Sequence, residues 1–406
     1  MITALLVFIA TYLILGVQGI PRFHIDRPTG ALLGAVGMVA FGILPLQEAY
    51  RAIDLDTLLF LLGMMILVAY LELSGFFEVL ERWIIGLARS TFMLLGLIVA
   101  SAGFLSALFM NDTVCLLYAP VILRVTRRLQ RNPLPYLIAL ATAANIGSVC
   151  TMIGNPQNAL IGIRSHLPFL QFTGRLWPIS AFGLLATFAV IALLYRDEIS
   201  RRPLIVPPPR NPVRIQRWLL SVSLTAGGIM LVLLCLNYHP PSVVISLASI
   251  VILAGSRKPR RALQQVDWTL LFLFAGLFVV MRGVENSGLT ALFFERTRFL
   301  LEGSGLTGSL GLTGAIALLS NLVSNVPAVM IYLPIVEAHG GRPDLWLLLA
   351  AASTLAGNLT LLGSVANLIV AEIAREEAPI GFLAYLKVGF PVTLATLLLA
   401  AWLLQV

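Results

Sequence analysis

Charge is scarce in this chain of 406 residues: Asp, Glu, Lys and Arg together make up 11%. A soluble protein of that length carries about 25%, so most of the chain is excluded from forming an ordinary wetted surface. Lysine is nearly absent, since 25 of the 27 basic residues are Arg. There are 4 His and 3 Cys, and Cys115, Cys150 and Cys235 fit neither a zinc-ligand spacing nor a disulfide framework. The motifs G-x-x-x-x-G-K-[ST], H-E-x-x-H and G-x-S-x-G are also missing, which argues against a nucleotide-driven motor, a metallohydrolase or a serine hydrolase. No cofactor, no metal and no enzymatic activity are therefore expected.

What remains is apolar. Hydrophobic residues make up 59% and the mean hydropathy is +0.94, the composition of an all-α polytopic membrane protein in contact with a lipid bilayer. The net charge of +8 gathers in loops. It reads as topology information rather than nucleic-acid binding. The apolar run that follows Met1 has no basic n-region and no A-x-A site, so it is expected to be a retained span.

The most informative stretch is Ser106 to Pro120, inside an apolar run over 92–123 that is too long for one span and short for two. Its centre holds Asn111, Asp112 and Thr113, which are costly in lipid without partners. Two readings fit: a helix pair with its polar turn in water, or a re-entrant hairpin with its tip buried in protein. The second half of the chain favours the hairpin. Ser106, Asn111, Tyr118 and Pro120 recur as Ser320, Asn325, Tyr332 and Pro334, all 214 residues later. Asp54, Gly63, Glu72, Ser74 and Gly75 recur at a spacing of 213 as Asp267, Gly276, Glu285, Ser287 and Gly288. Thr151, Gly154 and Asn158 recur at 209 as Thr360, Gly363 and Asn367.

The chain therefore reads as an internal duplication. The first repeat is 1–195, with a hairpin at 92–123 and a span over 136–163 broken at Gly154-Asn-Pro-Gln-Asn158. The segment 196–217, dense in charge and holding Pro207-Pro-Pro209, is a cytoplasmic linker. The second repeat is 218–406, with a hairpin at 308–336 and a broken span over 345–370. Amphipathic patterns at 74–89 and 290–301 suggest interfacial helices. Five full spans per half would turn the second repeat upside down. Cytoplasmic placement of Arg22 and Arg27, Arg124–Arg131, Arg196–Arg217 and Arg257–Arg261 suits that arrangement, with the N terminus outside. Inverted repeats with paired hairpins and paired broken helices are the pattern of a secondary transporter whose substrate binds at midplane.

Asn111-Asp-Thr113 with Pro120, Gly154-Asn-Pro-Gln-Asn158, Ser324-Asn-Val-Pro327 and Gly357-Asn-Leu-Thr-Leu-Leu-Gly-Ser364 together resemble the ion transporter superfamily, over nearly the whole chain. That group contains citrate and dicarboxylate carriers, NhaD-type sodium/proton antiporters and bacterial arsenite permeases, and the arsenite permeases are nearest in look. The resemblance implies a scaffold, a mobile transport domain carrying both hairpins, a homodimer, elevator-like alternating access and a bacterial inner membrane. Dicarboxylate carriers show Ser-Asn-Thr at both tips, whereas the tips here are Met110-Asn-Asp112 and Ser324-Asn-Val326. A carboxylate beside a dianion is repulsive, which favours arsenite/antimonite efflux coupled to proton entry over dicarboxylate uptake. A sodium/proton antiporter and an inorganic or carboxylate anion permease are the alternatives. A channel is a weaker one, and a partner ATPase is left open.

The expected substrate- and ion-binding residues are Asn111, Asp112, Thr113, Thr151, Gly154, Asn155, Gln157, Asn158, Ser324, Asn325, Asn358, Thr360, Gly363, Ser364 and Asn367. Asp112 stands out as the acidic residue central to an apolar segment, read as the proton or sodium carrier or else as a helix cap. The asparagines offer amide groups to a ligand, or else satisfy the broken backbone. Cys115 and Cys150 are candidate soft ligands for As(III), or else small buried hydrophobes. Glu72 and Glu285 are expected to face water or an Arg, and Asp54 and Asp267 to anchor span ends at the interface.

Overall fold

The computed structural model describes residues 1–16, 26–204, 215–255, 259–292, 295 and 305–405. Arg22, His24, Arg257, Lys258, the centre of the linker and most of 290–301 lie outside the described residues. The regular structure is helical, with one isolated bridge between Ser90 and Pro203.

The first half runs α1 (Ile2–Gly16), α2 (Arg27–Ala40), α3 (Leu46–Ala52), α4 (Leu55–Leu73), α5 (Phe76–Leu87), α6 (Thr91–Leu108), α7 (Asn111–Arg128), α8 (Leu134–Val149), α9 (Pro156–Ser165) and α10 (Phe169–Leu194). The second half runs α11 (Arg217–Cys235), α12 (Pro240–Ala254), α13 (Pro259–Gln264), α14 (Trp268–Asn286), α15 (Gly305–Val323), α16 (Asn325–Ala338), α17 (Pro343–Ala356), a 3-10 turn (Leu361–Gly363), α18 (Val365–Ile373) and α19 (Phe382–Leu403). Among the described residues, 7 helices (α4, α6, α10, α11, α14, α15 and α19) are long and apolar enough to cross a membrane.

Local chemistry sets the helix starts. Asp26, Asp54, Ser90, Asn155 and Asp267 each accept a hydrogen bond from a backbone N–H in the first turn of the helix they precede. Asp54 and Asp267 are thus equivalent caps of α4 and α14. Asp112 is not a cap: the N-cap of α7 is Met110, and Asp112 sits inside the first helical turn. Arg27 is not a loop residue either, because α2 begins at it.

The linker's first residues are tied to the first half. Ser200 accepts from the Phe92 N–H at 3.0 Å and from Thr91 Oγ1 at 3.0 Å. Gln216 N donates to the Ser74 carbonyl at 3.0 Å.

Packing interleaves the halves. α2 lies on α14, and α12 lies on α4. A Cβ on Gly276 would come within 2.7 Å of Ala31, and one on Gly283 within 2.7 Å of Met38. The contact advances 7 residues along both chains, so α2 and α14 run parallel. By contrast, Ala52 and Arg164 share a pocket with Glu285 near the end of α14, and Arg164 pairs with the α4 cap Asp54 at 3.1 Å. The start of α4 therefore lies beside the end of α14, and these equivalent helices run in opposite directions. A second group forms from α6–α10 and α15–α19, in which α10 packs on α19, α7 on α18, and α9 on α16 and α17.

Candidate functional site: two hairpin tips against two broken helices

The tip of the first hairpin is the two-residue break Phe109-Met110 between α6 and α7. The Asn111 N–H donates to the Gly154 carbonyl at 2.9 Å, which seats this tip on the break between α8 and α9. Gly154 is needed there, since a Cβ would lie 2.4 Å from the Ser148 carbonyl oxygen and 2.8 Å from that of Ser106. Gly363 is in the same position in the other half, where a Cβ would lie 2.8 Å from Asn321 Oδ1 and 2.9 Å from the Gly357 carbonyl oxygen.

The second tip turns at Ser324, with φ 76 and ψ 161. That combination is essentially a glycine-only region and costs about 1–3 kcal/mol for another residue. Strain of that kind persists only where the surrounding structure holds the residue in place.

Asn158 and Asn367 hold the breaks closed. Asn158 Nδ2 donates to the carbonyls of Ser148 (3.1 Å), Val149 (3.3 Å) and Thr151 (3.1 Å). Asn367 Nδ2 donates to the equivalent carbonyls of Gly357 (2.8 Å) and Thr360 (3.1 Å). Asn155 caps α9 by accepting from the Asn158 N–H at 2.8 Å, and Thr151 Oγ1 donates to the Ala107 carbonyl at 2.5 Å. Thr360 Oγ1 donates to Asn321 Oδ1 at 3.3 Å.

Between the breaks stands Asn145, fully buried in α8. It receives Asn111 Nδ2 at 2.8 Å and Ser364 Oγ at 3.1 Å, and donates to Asn358 Oδ1 at 2.8 Å and Asn367 Oδ1 at 3.0 Å. Its counterpart in α17 is Thr354, which receives Asn155 Nδ2 at 3.3 Å and Gln157 Nε2 at 3.1 Å and donates to Asn158 Oδ1 at 3.4 Å. The motif reading of the sequence missed Asn145 and Thr354. The signal was a pair of polar residues inside two apolar helices, 209 apart but of different type.

A pocket opens beside this network. Of the expected site residues, Asn111, Asp112, Gln157, Ser324, Asn325 and Ser364 line it. Thr151, Gly154, Asn155, Asn158, Asn358, Thr360, Gly363 and Asn367 do not; they brace the breaks behind it. Thr113 is half-buried on the first turn of α7 and is not a lining residue. Neither Cys115, buried in the core, nor Cys150 at the end of α8 lines the pocket. Arg27 does line it, with Leu15, Leu270 and Leu273.

The site's polarity is mixed. Asn111 is buried among the residues that line the pocket, and its Oδ1 accepts no hydrogen bond among the described residues. The Ala366 N–H in the first turn of α18 faces the Asp112 carboxylate, which also interacts electrostatically with Arg27 and with Asp267. No group of three or more His, Cys, Asp or Glu able to hold a metal occurs among the described residues. Glu285 meets Arg282 at 2.9 Å.

Two hairpin tips meet at one small pocket whose polar groups are set among Leu, Val and Pro side chains, and comparison with known proteins identifies the chain as a transporter, not an enzyme. The chain belongs to the citrate transporter (CitMHS) family, which it matches over residues 5–350. It is 29% identical to the silicon efflux transporter LSI3 of rice, over 92% of this chain and 91% of that protein. It is 31% identical to a 46 kDa membrane protein of Mycobacterium leprae, over 98% and 97%. It is 25% identical to the putative transporter arsB of Dictyostelium discoideum, over 92% and 86%. In fold it is similar to the YdaH transporter of Alcanivorax borkumensis, with a TM-score of 0.59 at 15% identity, covering 98% of this chain and 97% of that one.

Proposed function

We propose that this protein exports a small, neutral, hydroxylated solute in exchange for protons, with arsenous acid as the first candidate and silicic acid as the second. The carrying observation is the pocket's chemistry: amide and hydroxyl groups of Asn111, Gln157, Ser324, Asn325 and Ser364, beside Asp112 with Arg27 as its charge balance. Such a lining can donate to and accept from several O–H groups at once. It offers a single guanidinium against its own carboxylate, a poor match for a citrate trianion. The similarity to a silicon efflux transporter and to a putative arsB protein supports a hydroxylated inorganic solute. Sodium/proton exchange at Asp112 is the second reading, favoured by the same carboxylate and the free Asn111 oxygen.

In this reading the two halves are inverted repeats. The opposite directions of α4 and α14 and the parallel run of α2 and α14 support it. So do the hairpin feet: Arg127 at the foot of the first pairs with Glu377 after α18, while Arg164 in the last turn of α9 shares a pocket with Glu337 at the foot of the second. α6–α10 and α15–α19 form the mobile unit, moving against α1–α4 and α11–α14 in an elevator-like step. The bacterial inner membrane, an outside N terminus and a homodimer belong to the same proposal. The test is uptake into proteoliposomes under an imposed pH gradient, with arsenite, silicic acid, sodium and citrate as separate probes. Citrate transport without arsenite or silicic acid transport would overturn the substrate reading.

A further inference from the structure

We propose that Asn145 and Thr354 are positioning residues that set the hydrogen-bond polarity of the pocket: through them the two helix breaks leave the amide oxygens of Asn111 and Gln157 as the ends available to a solute, so that the site selects a fully protonated acid over an oxyanion of the same shape. This rests on the neutral-solute reading above and assigns its selectivity to two residues outside the pocket lining.

The direction of each hydrogen bond is fixed from the backbone. A carbonyl can only accept, so an amide bonded to carbonyls must present its nitrogen to them. Asn367 Nδ2 donates to the Gly357 and Thr360 carbonyls at 2.8 and 3.1 Å, which leaves its Oδ1 as an acceptor. Asn358 is held in the same way, with Nδ2 on the Thr142 carbonyl at 3.2 Å. Asn145 must then turn its Nδ2 to the oxygens of Asn367 and Asn358, at 3.0 and 2.8 Å. Its Oδ1 is left to accept, from Asn111 Nδ2 at 2.8 Å and Ser364 Oγ at 3.1 Å. Both protons and both lone pairs of the Asn145 amide are thereby used.

The other half repeats the logic with a hydroxyl. Asn158 Nδ2 donates to the carbonyls of Ser148, Val149 and Thr151, so its Oδ1 accepts the proton of Thr354 Oγ1 at 3.4 Å. The lone pairs of that hydroxyl then need donors. Asn155 Nδ2 supplies one at 3.3 Å and Gln157 Nε2 the other at 3.1 Å. The break of the second half thus orients Asn111 at the first hairpin tip, and the break of the first half orients Gln157 in the first turn of α9.

Both relays end at the pocket, because Asn111, Gln157 and Ser364 line it. The Ser364 proton is held by Asn145, so its oxygen can only accept from a solute. The Gln157 side chain makes only the hydrogen bond to Thr354 among the described residues. Asn111 Oδ1 is buried and accepts none. A buried acceptor without a partner is costly. A solute O–H relieves that cost, whereas an ionised oxygen adds to it. The lining holds one base and one acid, Arg27 and Asp112, so its formal charge does not by itself favour an anion.

The test is equilibrium dialysis of the full chain in detergent at neutral pH against two pairs of probes matched in shape: arsenous acid with sulfite, both pyramidal, and silicic acid with sulfate, both tetrahedral. In each pair the first is neutral with a proton on every oxygen, and the second is an anion with at most one proton. The wild type should prefer the neutral member. Thr354→Val removes the lone pairs that hold Gln157 Nε2 and lets that amide turn over. It should weaken binding of the neutral member about tenfold, the factor for one hydrogen bond, and strengthen binding of the oxyanion. Thr354→Ser keeps the hydroxyl and should restore the wild-type ratio. A purely structural Thr354 would lower binding of both members together and leave their ratio unchanged, which overturns the proposal, as does wild-type binding in Thr354→Val. The neutral-solute reading fails differently, by a wild type that binds the oxyanion more tightly or binds neither member of either pair, and this inference falls with it.

Discussion

Asn145 of α8 and Thr354 of α17 occupy equivalent places in the two halves, and each reaches across to the asparagine that closes the other half's break. Asn145 Nδ2 donates to Asn367 Oδ1 at 3.0 Å, and Thr354 Oγ1 donates to Asn158 Oδ1 at 3.4 Å. The two breaks are therefore bolted to each other rather than separately to their own surroundings. Replacing Asn145 with Ala would orphan Asn111 Nδ2, Ser364 Oγ and Asn367 Oδ1, while Asn358 Oδ1 keeps the Tyr385 hydroxyl at 3.4 Å. Each orphaned group costs about 1–3 kcal/mol, so Asn145→Ala should lower the thermal unfolding temperature in detergent by many degrees. Thr354→Val, which keeps the shape and loses the hydroxyl, should cost less. A near-neutral Asn145→Ala would mean that the network does not hold the breaks.

Ser324 gives a prediction of opposite sign. Its backbone lies where glycine alone is at ease, so Ser324→Gly removes about 1–3 kcal/mol of strain and offsets that in part through unfolded-state entropy. Thermal stability should hold or rise, while transport should fall because a lining hydroxyl is lost. Loss of both stability and transport would show that the hydroxyl has a structural partner.

Gly154→Ala should prevent stable folding or displace the first hairpin tip, because the added methyl would meet two backbone oxygens that cannot rotate away. Gly174→Ala is the control, since a Cβ there meets nothing within 4 Å. Equal yields of the two variants in a fluorescence size-exclusion assay would refute the close packing at the tip.

Asp112→Asn removes the charge and keeps the shape. The proposed exchange should lose its response to the pH gradient, while the unfolding temperature stays near wild type, because Asp112 is not the cap of α7 and the Asn side chain keeps an oxygen for the Ala366 N–H. Asp112→Glu should retain partial coupling. An unchanged pH response in Asp112→Asn, measured as simultaneous proton and solute flux, would place coupling elsewhere.

Membrane sidedness is open to direct labelling. A cysteine at Arg261 should react only from the cytoplasm and one at Gly340 only from outside, in a background lacking Cys115, Cys150 and Cys235. Labelling of both from one side would remove the inverted-repeat proposal.

The apolar spans, the matched pairs of residues and the four polar interruptions were legible in the sequence. A polar residue inside an apolar run is costly enough to be conspicuous, and the pairs at 214, 213 and 209 kept their spacing within each block. Which of those residues face the pocket and which brace the breaks was not legible. Asn158 and Asn325 look alike in the sequence, but Asn158 spends its amide on three carbonyls while Asn325 lines the cavity. Asn145, Thr354 and Arg27 were missed because each looks ordinary locally: two polar residues among several in apolar helices, and one more Arg after a span. Composition and spacing alone determined that this chain is an all-helical polytopic membrane protein with polar interruptions, and they pointed to a duplication. Only the tertiary structure decided which polar groups meet, because hydrogen bonds and ion pairs act over about 3–4 Å, and sequence spacing does not say which helix faces which across that distance.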